Sequence, residues 1–130
     1  DLPENVKAVI ADCGYTSEWD EFQREADTLH IPWFPVLNAT SVLSKVRDGY
    51  DFKQASALAQ VKKSRIPTLF IHGSSDELVP YSMLGELYAA AACEKEELTV
   101  EGAGHALSSS VAPTLYWRTV EDFIAKYLDR

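Results

Sequence analysis

Two segments hold side chains that can do acid–base chemistry together: His72-Gly73-Ser74-Ser75-Asp76-Glu77-Leu78-Val79-Pro80 and Gly102-Ala103-Gly104-His105. A carboxylate against a histidine fixes the tautomer, orients the ring and stabilises the imidazolium formed when the ring takes a nucleophile's proton. Asp76 and His105 are the candidates for those two roles. The glycines before His105 let the backbone turn sharply and hold the imidazole clear of a sheet. The plainer alternative is a loop Asp that caps the next helix and a His in an incidental turn.

Such a pair needs a scaffold that brings the two loops together. Val6 to Ala11 is short, rich in β-branched residues and closed by Asp12-Cys13-Gly14, the pattern of a largely buried strand. Ile66 to His72 is a second strand, apolar on both faces, with Pro67 near its start, and Glu97 to Glu101 is a third. Helices are predicted between and after them, over about 81–92 and about 113–128. This alternation predicts an α/β fold, three parallel strands with flanking helices. In such sheets, functional residues sit in loops beyond the carboxyl ends of the strands, and adjacent parallel strands would join the Asp76 and His105 loops.

Residues 18–60 read as a helical cap insertion. Ser17 and Asp20 form an approximate capping box for a helix over about 18–29. Pro32 and Pro35 bracket Trp33 and Phe34 in what reads as a packed loop. Val36, Ala39, Leu43 and Val46 then recur at helical spacing up to Gly49, a C-cap, and a shorter helix is predicted over about 53–60.

The chain has 130 residues, 46% hydrophobic, which suits one domain over 1–130. A net charge of −8 argues against nucleic acid and anionic membrane surfaces as partners. No apolar run is long enough to span a bilayer and no signal-peptide pattern is present, pointing to a cytoplasmic protein. The opening Asp1-Leu2-Pro3-Glu4-Asn5 reads as a surface loop feeding a strand, as in a piece of a longer chain. Cys13 and Cys93 stand apart from each other and from any His, matching no zinc or CxxC spacing, so both are expected reduced and mostly buried, with no metal or cofactor.

HGSSDELVP and GAGH resemble the catalytic-acid segment and histidine loop of the α/β-hydrolase superfamily. The likeness covers essentially the whole chain and implies a Ser-Asp-His triad with Asp76 as acid and His105 as general base. The superfamily's nucleophile lies in a GxSxG elbow upstream of both, and no serine here has that surround. The resemblance therefore implies the C-terminal half of the fold, with the nucleophile and oxyanion hole supplied from elsewhere. With ADCGYTS after the first strand, the pattern looks most like the compact bacterial hydrolases related to the serine aminopeptidase and prolyl-oligopeptidase-like branch.

Other residues carry plainer readings. His72 is a strand-end residue beside Gly73, and His30 a surface residue at a helix end. Cys13, with Asp12 and Tyr15, could line the same cleft, but as a nucleophile Cys13 would need a base and nothing local in sequence supplies one. Trp19, Trp33 and Phe34 either wall an apolar substrate site or close a core, and Glu94, Glu96 and Glu97 read as a solvated turn.

Two functions follow: part of a serine hydrolase acting on a small-molecule ester, amide or peptide substrate, inactive alone, or a non-catalytic α/β module. In either case the first strand is expected to present an open edge that favours self-association.

Overall fold

A computed structural model describes residues 3–128; Asp1 and Leu2 of the expected opening loop lie outside it. Three strands, β1 (Val9–Asp12), β2 (Thr68–Gly73) and β3 (Lys95–Val100), form one parallel sheet in the order β1-β2-β3. Six helices accompany them: α1 (Glu18–Thr28), α2 (Trp33–Asp48), α3 (Ala57–Val61), α4 (Ser82–Ala90), α5 (Ser108–Val111) and α6 (Pro113–Leu128).

The alternation of β2 explains why helices lie on both faces. Leu69 and Ile71 point to one side, where they pack with Val100 and with Val120, Phe123 and Tyr127 of α6. Phe70 points to the other, against Leu84 and Leu87 of α4, with Ala57, Leu58 and Val61 of α3 at its margin. All six residues of β2 are buried, as the central strand of a covered sheet requires.

Strand ends follow pairing rather than apolar content. β1 begins at Val9, opposite Thr68, because Val6 is instead tied into a turn by its N–H to Pro3 O at 3.0 Å. β3 begins at Lys95, also opposite Thr68, two residues before the predicted start at Glu97, so Glu96 lies in the strand and not in a solvated turn. Glu96 accepts from Lys126 and Glu94 from the Tyr127 hydroxyl, so both carboxylates fasten the end of α6.

In the cap, Ser17 Oγ accepts the Asp20 N–H at 3.3 Å and Gly49 closes α2 in the left-handed conformation, φ 71°. Two expectations need correction. The stretch around Pro32 and Pro35 is not a packed loop: backbone from Trp33 leaves the helical path only at Phe34, after which Pro35 stands in the first turn of the regular helix, where it costs no hydrogen bond. Phe34 is 67% exposed. The helix predicted over about 53–60 is reduced to α3 because the Asp51 carboxylate accepts from Lys53 N–H and Gln54 Nε2 and holds a turn, leaving Ser56 to cap α3 through Ala59 N–H.

Gly73, the last residue of β2, is buried where the chain after β3 crosses it, and a Cβ there would overlap the Ala103 carbonyl. Gly73→Ala should therefore cost roughly 1–3 kcal/mol or more, read as a lowered midpoint in urea unfolding; an unchanged midpoint would show that the two loops are not in contact.

Candidate active site

Because β2 and β3 are parallel and paired through Gly73↔Val100, the loops that follow them leave the same sheet edge side by side. Backbone bonds join them: Ser75 N–H donates to Ala103 O at 3.0 Å, and Gly102 N–H to Ser74 Oγ at 2.9 Å. Gly102, at φ 73°, makes the turn that only glycine adopts freely.

Asp76 sits in the first loop with its side chain fully buried. Its Oδ1 accepts the N–H groups of Leu78 at 3.0 Å and Val79 at 2.8 Å, which fixes the plane of the carboxylate. Its Oδ2 lies 2.9 Å from Nδ1 of His105. Since a carboxylate only accepts, Nδ1 carries the proton and Nε2 presents a free lone pair. The His105 side chain is 36% exposed, so that lone pair can reach a substrate. The arrangement can take a proton from a nucleophile and hold the resulting imidazolium beside a buried anion.

His72 supports the pair from beneath. It is buried, donates from Nε2 to the Val79 carbonyl at 3.0 Å, and places the same nitrogen 3.3 Å from Asp76 Oδ2. That is the structural role the sequence suggests for it. His30 is an exposed residue just past the end of α1.

Cys13 is where sequence reasoning fell short. A base is near it after all: its thiol sulfur, an Asp76 carboxylate oxygen and a His105 ring nitrogen lie within 4.8 Å of one another. It follows β1 with φ 53°, held by its N–H to Ile71 O at 2.9 Å, and its sulfur accepts the N–H of Ala106 at 3.3 Å. The thiol donates to Asp12 Oδ1, whose other oxygen accepts from Tyr116 on α6. Burial first, then the Asp12 carboxylate, pushes the thiol up to about 11, so it stays protonated at neutral pH and is a poor nucleophile. Burial and the same carboxylate raise Tyr116 to about 12. The signal for this contact was the placement of Cys13 at the end of a strand beside β2; its partners, far along the chain, are invisible to any local pattern.

The cap aromatics keep other company. Trp19 lies under Lys53 Nζ, 4.5 Å from the ring centre, and Trp33 meets Phe34 edge-on. An apolar groove of about 530 Å³ runs along α2, lined by Pro35, Asn38, Ala39, Val42, Leu43 and Val46. Tyr15 is exposed, and Cys93 is half-buried and free. Among the described residues, no helix is long and apolar enough to cross a membrane.

The chain superposes on the crystal structure of MGS-MChE2, an α/β hydrolase enzyme from the metagenome of lagoon sediments at Mar Chica, Morocco. The TM-score is 0.62 at 15% identity, over 96% of this chain and 52% of that one. The fold is that of the α/β hydrolases. By sequence, this α/β-hydrolase-type module is 31% identical over 118 residues to the uncharacterized protein YqkD of Bacillus subtilis, covering 88% of this chain and 38% of that protein. It is 29% identical over 106 residues to alpha/beta hydrolase domain-containing protein 17C of Xenopus tropicalis, covering 79% of this chain and 34% of that protein. The module thus spans between a third and two fifths of the length of these relatives. No protein-family model matches it.

Burial alone would raise the Asp76 carboxyl, but the Val79 N–H, the bond to and charge of His105, and the Cys13 thiol outweigh it and hold the group below the usual carboxylate range. A carboxyl depressed on folding adds stability that is present above its unfolded value, about 3.9, and is lost as pH falls through the folded value. Asp76→Asn removes that contribution. Urea unfolding between about pH 6 and 2 should show a shallower loss of stability in the variant than in the parent chain; parallel curves would contradict the depressed carboxyl.

Proposed function

We propose that this module supplies the acid and the general base of a serine hydrolase that cleaves ester or amide bonds, with the nucleophile and oxyanion hole contributed by sequence outside these residues. The observation that carries the proposal is the Asp76 Oδ2 to His105 Nδ1 contact at 2.9 Å, with Oδ1 already occupied by two backbone N–H groups and His105 open to solvent. A loop Asp that merely capped α4 would have no reason to be buried against an imidazole. None of the serines lies in a GxSxG surround, which is why the nucleophile is assigned to another part of the protein.

In the proposed reaction, Nε2 of His105 removes the proton of the attacking serine hydroxyl and returns it to the leaving alcohol or amine, while Asp76 holds the ring and balances its transient positive charge. His72 and the Leu78 and Val79 amides keep the carboxylate in one orientation. The substrate class is a small ester, amide or peptide. The motifs favour the compact bacterial branch allied to serine aminopeptidases and prolyl oligopeptidases, acting in the cytoplasm.

The test is ester turnover by an N-terminally extended chain. His105→Ala should lower kcat/KM by about 10²–10⁴-fold, with the folded state checked by circular dichroism. Unchanged turnover would leave the module non-catalytic. The 130-residue chain alone should form no adduct with a fluorophosphonate probe by intact mass; a His105-dependent adduct would place an activated serine within it and overturn the assignment of the nucleophile elsewhere.

We also propose that β1, which pairs only with β2 among the described residues, associates with a second copy through its other edge. Light scattering at high micromolar concentration should give a mass above the monomer, and a strictly monomeric mass would refute this.

A further inference from the structure

We propose that Cys13, Asp76 and His105 form a binding site for a thiophilic divalent transition-metal ion of the Zn²⁺ class. Their ligand atoms, one sulfur, one oxygen and one nitrogen, lie within 4.8 Å of one another. Zinc takes S, N and O donors at about 2.3, 2.0–2.1 and 2.0–2.2 Å, so tetrahedral coordination sets the donors roughly 3.3–3.6 Å apart. Asp76 Oδ2 and His105 Nδ1, now 2.9 Å apart, need to part by about half an ångström, and the half-exposed His105 ring is the member free to move.

Two of the three donors, Asp76 and Cys13, already have the outer support that metal ligands require. Asp76 Oδ1 is held by the Leu78 and Val79 amides, which leaves Oδ2 to face inward, and His72 Nε2 stands behind it at 3.3 Å. The Cys13 sulfur accepts the Ala106 N–H at 3.3 Å, a contact that also suits a thiolate. Cys13 and Asp76 are buried, and His105 opens the way in from solvent. A mixed thiolate, imidazole and carboxylate set favours Zn²⁺ or Co²⁺ over Mg²⁺ or Ca²⁺, which prefer oxygen alone. Three protein ligands leave the fourth position to water.

Binding involves no electron transfer. The Cys13 thiol loses its proton to solvent as the sulfur–metal bond forms, and the imidazole binds neutral, its one N–H on the nitrogen that does not face the ion. An ion seated there breaks the Asp76–His105 hydrogen bond. Inhibition of hydrolysis as a consequence rests on the function proposed above; the binding itself does not.

The experiment is a Co²⁺ titration of the 130-residue chain, followed by the near-ultraviolet thiolate-to-metal charge-transfer band, with Zn²⁺ as competitor. A band that saturates at one equivalent and is displaced by Zn²⁺ is expected. Cys13→Ser should abolish it, His105→Asn should weaken binding by about 10–100-fold or more, and Cys93→Ser should leave it unchanged. Because His105 is exposed, His105→Asn tests the site even if Cys13→Ser fails to fold. The absence of a saturable band, a band that follows Cys93, or undiminished affinity in His105→Asn would overturn the proposal. No turnover is read, so this outcome is separate from that of the hydrolase test.

Discussion

The buried Asp76 carboxylate is the interaction on which the rest of the site depends. An anion out of water is tolerated only where donors surround it, and here the donors are two backbone amides and the ring of His105, with the His72 ring packed 3.3 Å from the same carboxylate oxygen. Hydrogen bonds to a charged group contribute about 1.5–3 kcal/mol each, and the loss of any one leaves part of that charge uncompensated. The carboxylate thereby dictates the tautomer of His105, the path of the loop through Leu78 and Val79, and the docking of His72 under the site. The parallel register of β2 and β3 sets the distance that makes all of this possible.

Backbone strain gathers at the same place. Cys13 and Ala106, both non-glycine residues at positive φ, meet through the Ala106 N–H and the Cys13 sulfur. Such conformations cost on the order of 1–3 kcal/mol each and persist where surrounding structure over-determines them. The over-determination is visible: Cys13 is held to Ile71 of β2 and to Asp12, itself held by Tyr116 of α6. Sheet, loops and the last helix thus converge on a few side chains. The cap behaves differently, with Val42, Leu43 and Val46 of α2 exposed and only Ala26 and Ser41 buried within α1 and α2.

Much of this was legible in sequence because local patterns carry it. The three predicted strand segments became the three strands, Ser17 and Gly49 became caps, and the Asp and His motifs met as parallel strands require. What escaped depended on distant partners. Strand ends were set by who pairs with whom, so Glu96 moved into β3. The turn at Asp51 came from side-chain acceptors that hydropathy does not register. Pro35 was read as a breaker although it occupies the one part of a helix that welcomes it. Cys13 was legible as a cleft residue but not as a neighbour of the pair, because its partners enter from two other loops.

The most direct test of the account is the protonation geometry of His105, observed by ¹H–¹⁵N NMR of the histidine ring nitrogens in this chain. Wherever the ring is neutral, Nδ1 should carry the proton, shifted downfield by the Asp76 carboxylate, with the shift lost in Asp76→Ala. A neutral ring protonated at Nε2, or an Nδ1 signal indifferent to Asp76→Ala, would contradict the account.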